Sequence, residues 1–476
     1  MTAPDVGLCN GTHAKLFSKF AYFFYIFFLS KYISNSDENL KITNIFKPLY
    51  IVLSILGLFP YSVKFHRNKR SLTVIQKSIY FNSIRTVFFV IFICTFLVLH
   101  VRYVYHSIGD TSMTREIMTQ MNYILELVNF TAFCMVAYIC AIHNRWIYVK
   151  IINRIANSIQ STNRNIEDVL KHFRFEVNMV IGSLGVLFVL QMCVNFSRDS
   201  TLWKTTLVTI SFLLPQMIQF TSIAFYYVLI LMLVVFLHSI RQHISTILQE
   251  NNNLMECFVK VETRIRILKH SESLYVKAFE LKRDINRAFQ APLLITTLQS
   301  FHSIVSEAHI IYHGIVIERA LSVHSIINCS LWIIYQFMKI YVLARSGNLI
   351  KFQVLKIGQV LHSIPTERSD LRLLMEIQHF STVISYHGAE ITIYGFFTLD
   401  ALFMSKVSWH QTYLVRIQLN KANKIPRCIY RYIFFTRLRR VYICVICLCY
   451  VCLFLCGALD QTRGRILVIF TSIDLS

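Results

Sequence analysis

Polar side chains set inside apolar blocks are the residues of this sequence whose types and spacing could do chemistry. One block carries His302, Ser306, His309 and His313 at i, i+4, i+7 and i+11, which is one face of a helix. Others hold Glu126 with Asn129, then Gln191, then Gln216 with Gln219, and Asn328 with Trp332. In hydrocarbon such groups are expensive and tend to face a partner, water or a ligand. A set of amides and aromatics suits a small polar organic molecule. The same groups could equally hydrogen-bond between neighbouring helices as structural glue. Catalysis finds no support. There is no phosphate-cradling glycine loop, no G-x-G-x-x-G and no H-E-x-x-H, and the 17 His show no metal-ligand spacing with carboxylates. No enzyme activity, cofactor or metal is expected.

The elements that must position these groups follow from composition. Of 476 residues, 55% are apolar and 15% charged, and mean hydropathy is +0.51. A soluble chain carries about 25% charged residues. With 38 Phe, 24 Tyr, 13 Gly and 7 Pro, the chain is neither disordered nor collagenous. The net charge is +23, but the excess is spread between apolar blocks and along a basic tail, so no nucleic-acid partner is expected. Six of the 13 Cys crowd between Cys428 and Cys456. The others mostly fall in apolar blocks, where a thiol acts as a small hydrophobe, and no disulfide framework emerges.

The sequence predicts an all-α membrane protein with seven transmembrane helices, a cytoplasmic N-terminus and long intracellular helical extensions. The spans are 84–105, 123–143, 177–196, 207–238, 285–316, 323–343 and 391–418. Phe20–Leu29 is too short to cross, and Pro48–Phe65, broken by Gly57 and Pro60, reads as a re-entrant or cytoplasmic-side helix. The basic cluster Lys64, Arg67, Lys69 and Arg70 and the short outer loops set the orientation. Asn195-Phe-Ser197 is then an outward-facing sequon. The chain divides into a cytoplasmic N-terminal region 1–83, a seven-helix domain 84–418 and an atypical basic, Cys-rich tail 419–476. A G-protein-coupled receptor fits poorly: there is no Asn-Pro turn, and span three ends at Asn195-Phe196 without the expected acidic-Arg-aromatic triplet. Apolar Leu254, Phe258, Val261, Ile265, Leu268, Tyr275 and Phe279 recur at helical spacing, which predicts cytoplasmic helices packed on one another or between subunits.

The stretch Ile357–Val415 resembles the carboxy-terminal signature of insect gustatory receptors. The matching pieces are Arg372-Leu-Leu-Met-Glu-Ile-Gln-His-Phe380, Ile391-Thr-Ile-Tyr-Gly-Phe-Phe-Thr-Leu-Asp400 and Thr412-Tyr-Leu-Val415. Asp284-Ile-Asn-Arg-Ala-Phe289 leading to Pro292 is similar to the family's start of span five, and Pro48 to Pro60 to its amino-terminal segment. The resemblance implies a ligand-gated cation channel that detects tastants as a homo- or hetero-tetramer in the plasma membrane of chemosensory neurons. It implies that the seventh helices, with Thr412 and Tyr413, line the pore. It also implies that the outer halves of the other helices enclose a ligand pocket, for which Glu126, Asn129, Gln191, Gln216, Gln219, His309, Asn328 and Trp332 are the candidates. Partners are then a small-molecule tastant and membrane lipid. The alternatives are a chemosensory receptor without its own pore, whether G-protein-coupled-like or a co-receptor, and a transporter.

The sequence departs from that family after Val415. Arg416 stands in what should be the pore helix, where four such charges around one axis would repel a permeant cation. Val415-Arg416 can be encoded by GTRAGR, which resembles a splice donor, and ten Lys/Arg against two acids follow from Arg416 to Ser476. Two readings of the tail stand: a translated intron, which is preferred, and a genuine tail with Val441–Cys456 as an extra hydrophobic segment, short for a span at 16 residues. Its cysteines lack the polar neighbours of a metal site.

Overall fold

The computed structural model describes residues 42–59, 62–65, 72–75, 79–108, 114–161, 166–196, 202–249, 257–312, 314, 323–365 and 371–400. Phe20–Leu29, Thr412, Tyr413, Arg416 and the tail 419–476 lie outside these residues. The described chain is nearly all helix. Its elements are α1 (Ile42–Ile55), β1 (Ser62–Phe65), β2 (Leu72–Ile75), α2 (Ile79–Ile108), α3 (Thr114–His143), α4 (Arg145–Ser161), α5 (Ile166–Phe196), α6 (Leu202–Val208), α7 (Leu214–Gln249), α8 (Cys257–Tyr312), α9 (Val323–His362), α10 (Leu371–Tyr386), β3 (Thr392–Ile393) and β4 (Phe397–Thr398). A π-helical turn, Thr209–Leu213, joins α6 to α7. It falls just before Pro215, whose missing N–H already interrupts the regular ladder.

Among the described residues five stretches are long and apolar enough to cross a membrane: Ile84–Val104, Asn122–His143, Phe173–Val194, Trp203–Ile247 and Val323–His362. They correspond to the predicted spans one to four and six. Span five lies in the second half of α8, a 56-residue helix that continues through Pro292. At 1.5 Å per residue it is about 84 Å long, far more than a bilayer needs, so its first half projects beyond the apolar layer. The cytoplasmic stripe is therefore the start of this same helix, with Ile265, Leu268 and Tyr275 buried.

The seventh span does not begin at Ile391. Residues 391–400 form a two-stranded hairpin, Thr392 opposite Thr398 and Ile393 opposite Phe397. The run Ile391-Thr392-Ile393 is β-branched, and the turn places Tyr394 at φ 47° and Gly395 at φ 74°, which ends any helix. The amino-terminal segment differs as well. Its helix stops at Ile55, because Gly57 at φ 76° makes a Schellman cap in which Leu58 N–H donates to Leu53 O at 2.9 Å and Gly57 N–H to Ser54 O at 3.3 Å.

Helix α7 is the centre of the bundle: its residues from Ile218 to Leu237 are almost all buried. It packs against α9, α8, α3 and α5. A helix apolar on every side has no solvent face to present and takes the middle of the bundle. At the end assigned to the cytoplasm, Lys150 pairs with Asp284 at 2.9 Å and Arg154 with Glu280 at 2.9 Å, tying α4 to α8. Further along α8, Asn286 Nδ2 donates to Thr392 O at 2.9 Å and Lys282 Nζ to Gly388 O and Glu390 O, holding the strand that leads into the hairpin.

Candidate functional site

Three helices turn polar faces toward one another inside the bundle. On α9, Trp332, Gln336 and Lys339 follow at i, i+4 and i+7; on α8, Thr296, Ser300 and Ser303 do the same; on α7, Gln216 and Gln219 are i and i+3. Helices α7 and α9 run from the end assigned to the outside inward, while α8 runs outward. The three faces therefore stack into layers.

In the inner layer Lys339 Nζ donates to Gln219 Oε1 at 2.8 Å and to Gln299 Oε1 at 2.9 Å. Gln219 Nε2 donates in turn to Gln299 Oε1 at 3.3 Å and to Thr296 Oγ1 at 3.5 Å. The ammonium lies 5.2 Å from the Tyr335 ring centroid, within cation–π range. Lys339 is fully buried and has no carboxylate in contact among the described residues.

In the outer layer Glu126 of α3 accepts from Ser303 Oγ, and Trp332 Nε1 donates to Glu126 Oε1 at 2.9 Å and to Ser303 Oγ at 2.7 Å. Aromatic rings enclose this group: Phe212 lies 5.6 Å, Phe130 6.3 Å and Tyr335 5.5 Å from the Trp332 ring. Phe188 of α5 continues the wall at 6.1 Å from Tyr335.

Between the two layers sit Gln216, Ser300 and Gln336, all with no solvent exposure. Both amide atoms of Gln216 and of Gln336, the Ser300 hydroxyl, the Tyr335 hydroxyl and Gln299 Nε2 have no hydrogen-bond partner among the described residues. Buried polar groups are normally satisfied, because an unmade hydrogen bond there costs about 1–3 kcal/mol. Several in one layer leave hydrogen-bonding capacity that a water or a ligand can satisfy.

Of the residues expected from sequence, the structure joins Glu126 to Trp332, brings Gln219 into the Lys339 layer and puts Gln216 one turn outward of it. Gln191 and Asn328 meet separately, Nε2 donating to Oδ1 at 2.9 Å. Asn129 is half-buried one turn from Glu126, and His309 is half-buried nearly two turns outward of Ser303. The buried face that α8 turns to α7 and α9 is Thr296, Gln299, Ser300 and Ser303, whereas His302, Ser306 and His309 are only half-buried. Sequence reasoning missed Lys339, although a lone ammonium in an apolar run was signal enough. It also missed Gln299, Ser300, Ser303, Tyr335 and Gln336.

Below this site α9 continues to the hairpin. Tyr226 Oη and Ser346 Oγ are 3.1 Å apart, and Tyr227 Oη donates to Glu176 at 3.2 Å, a carboxylate that also pairs with Arg345. Beside them, Gly347 lies so close to Leu399 that a Cβ would overlap the Leu399 carbonyl. A separate groove of about 300 Å³ runs along Tyr341, Arg345, Asn348 and Phe352. Glu272, Glu376 and His379 bring three metal-ligand atoms within 4.8 Å of one another. There, however, Lys269 already pairs with Glu376 at 3.1 Å and His379 with Glu272 at 3.2 Å.

The comparisons with known proteins agree with this architecture. The solved structure of the insect olfactory receptor OR5 from Machilis hrabei is similar at a TM-score of 0.56 and 15% identity, covering 79% of this chain and 98% of that one. The structure of the same receptor in complex with eugenol matches to the same degree. No curated protein matches. The family model of the 7tm chemosensory receptors matches residues 46–408. This chain belongs to the 7tm chemosensory receptor family.

Proposed function

We propose that the protein is a subunit of a ligand-gated cation channel that detects small-molecule tastants at the plasma membrane of chemosensory neurons. The observation that carries the reading is the fully buried layer of Gln216, Ser300 and Gln336, unpartnered and flanked by aromatic rings. An apolar site with a few convergent polar groups is what a small organic ligand requires. Similarity to a receptor solved with eugenol supports a small organic ligand in this fold. The gustatory assignment rests on the pieces between Arg372 and Val415. Assembly as a homo- or hetero-tetramer, with Thr412 and Tyr413 at the pore, belongs to the same proposal.

The test is electrophysiology in heterologous cells with a tastant and odorant panel. Two chains are compared: this one, and one whose Arg416 region is replaced by an uninterrupted apolar helix. Ligand-evoked cation currents from the second chain, abolished by Gln216→Leu with Gln336→Leu, are the expected result. Ligand binding without currents from either chain supports the alternative of a receptor that has no pore of its own.

A further inference from the structure

The site carries a chemical preference. Its inner layer holds the site's one amine, Lys339, fully buried and held among the described residues by two amide carbonyls and a ring face. A buried ammonium is normally matched by a contacting anion. Glu126 does not fill that role. It acts on Lys339 through space without contact, and its oxygen is engaged by Ser303 and by Trp332, which lies seven residues outward of Lys339 on α9.

The unpartnered groups beside Lys339 include more that can donate than can only accept. Gln299 Nε2, Gln216 Nε2, Gln336 Nε2, Ser300 Oγ and Tyr335 Oη all carry hydrogens, against two free amide oxygens. One amine, three amide nitrogens against two amide oxygens, and two hydroxyls that can donate suit an acidic ligand that accepts hydrogen bonds. The walls add the rest. Tyr335, Trp332, Phe212 and Phe188 surround the site with buried rings, an environment that suits an organic body better than a small inorganic anion.

We propose that this site selects small organic acids, the ligand carboxylate seated against Lys339 and its apolar body lying toward Trp332. The proposal rests on the reading of this layer as the ligand pocket and adds the class of ligand. Glu126 sets the orientation: it already occupies the Ser303 and Trp332 donors of the outer layer and leaves Lys339 as the carboxylate's partner. Gln216 and Gln336 offer amide donors from α7 and α9, so a bound acid ties the two helices together.

The test uses the full chain in lipid nanodiscs at neutral pH. Binding is read by tryptophan fluorescence, with Trp332→Phe identifying the signal from this site, and by thermal shift. The probes are hexanoate and benzoate against 1-hexanol and benzyl alcohol. The acids are expected to bind more tightly than their matched alcohols. Lys339→Met is expected to weaken acid binding by about tenfold or more, the scale of one lost charge-assisted hydrogen bond, and to leave the alcohols within about twofold. Lys339→Arg is expected to retain the preference. Should the Met variant not fold, the wild-type preference for acid over alcohol still decides. Alcohols that bind as well as the acids overturn the acid assignment and leave the pocket standing. Unchanged acid affinity in a folded Lys339→Met protein does the same. If no probe of either class is bound, the acid assignment and the pocket reading fall together.

Discussion

The side-chain amide of Asn144 donates to the backbone carbonyl of Ala288 at 3.2 Å. Ala288 is the residue four before Pro292, and Pro292 has no N–H to give it. A residue at the junction of α3 and α4 thus supplies the donor that the proline removes from α8, and α8 runs on unbroken into the membrane.

Asn144→Ala leaves that carbonyl buried without a donor and is expected to cost about 1–3 kcal/mol. Adding Pro292→Ala restores the helical amide, so the double variant recovers most of the loss. A double-mutant cycle by thermal unfolding in detergent measures the coupling. Simple additivity of the two effects contradicts the relationship.

Glu126 anchors the outer layer of the site. Its replacement by Ala takes the acceptor from the buried Ser303 hydroxyl and leaves the Trp332 indole N–H with Ser303 Oγ alone, for an expected loss of about 1–3 kcal/mol. Glu126→Gln keeps an acceptor and is expected to lose less than half as much. Unfolding midpoints and the emission maximum of Trp332 report both.

Gly347 and Leu399 couple α9 to the hairpin at Thr392–Thr398. A methyl group at position 347 would meet backbone, which cannot yield as a flexible side-chain end can. Gly347→Ala is expected to displace the hairpin, at a cost of about 1–3 kcal/mol typical of overpacking. Spontaneous opening in the absence of ligand is expected to change with it. Gly358→Ala is the control, since a Cβ there meets nothing within 4 Å.

Lys282 makes the hold on the hairpin strand pH-dependent. Burial pushes its ammonium down to about 8, against a smaller upward effect of Glu390. The unfolded chain keeps a lysine near its ordinary value of about 10.4 and so binds more protons than the folded chain between these limits. The Lys282 contribution to stability therefore rises with pH through that window. Over the same range the folded protein loses the charge on its bonds to Gly388 O and Glu390 O. Gating in inside-out patches is expected to respond to cytoplasmic pH near 8, and Lys282→Arg, charged throughout, is expected to abolish the response.

Much of the bundle was legible in the sequence because hydropathy is a local property. The run Ile84–Val104 and the all-round apolar Ile218–Leu237 declare themselves without reference to neighbours. The hairpin at Thr392–Thr398 was not legible, because apolar β-branched residues satisfy a span and a strand equally well; Gly395 was the discriminating residue. In the site, Glu126, Gln216, Gln219 and Trp332 stood out as isolated polar groups. On α8 the histidines stood out by residue type, whereas the buried face turned to α7 and α9 is that of Gln299, Ser300 and Ser303.

By itself the sequence determined that the chain lies in a membrane, roughly where its helices run and which residues are costly to bury there. These depend on side-chain transfer energies summed over short windows. Which costly residues meet was decided only by the tertiary structure. Lys339 reaches Gln219 and Gln299, 120 and 40 positions away, through the register and rotation of three packed helices. Those are set by the interlocking of whole surfaces, and no short window of sequence contains them.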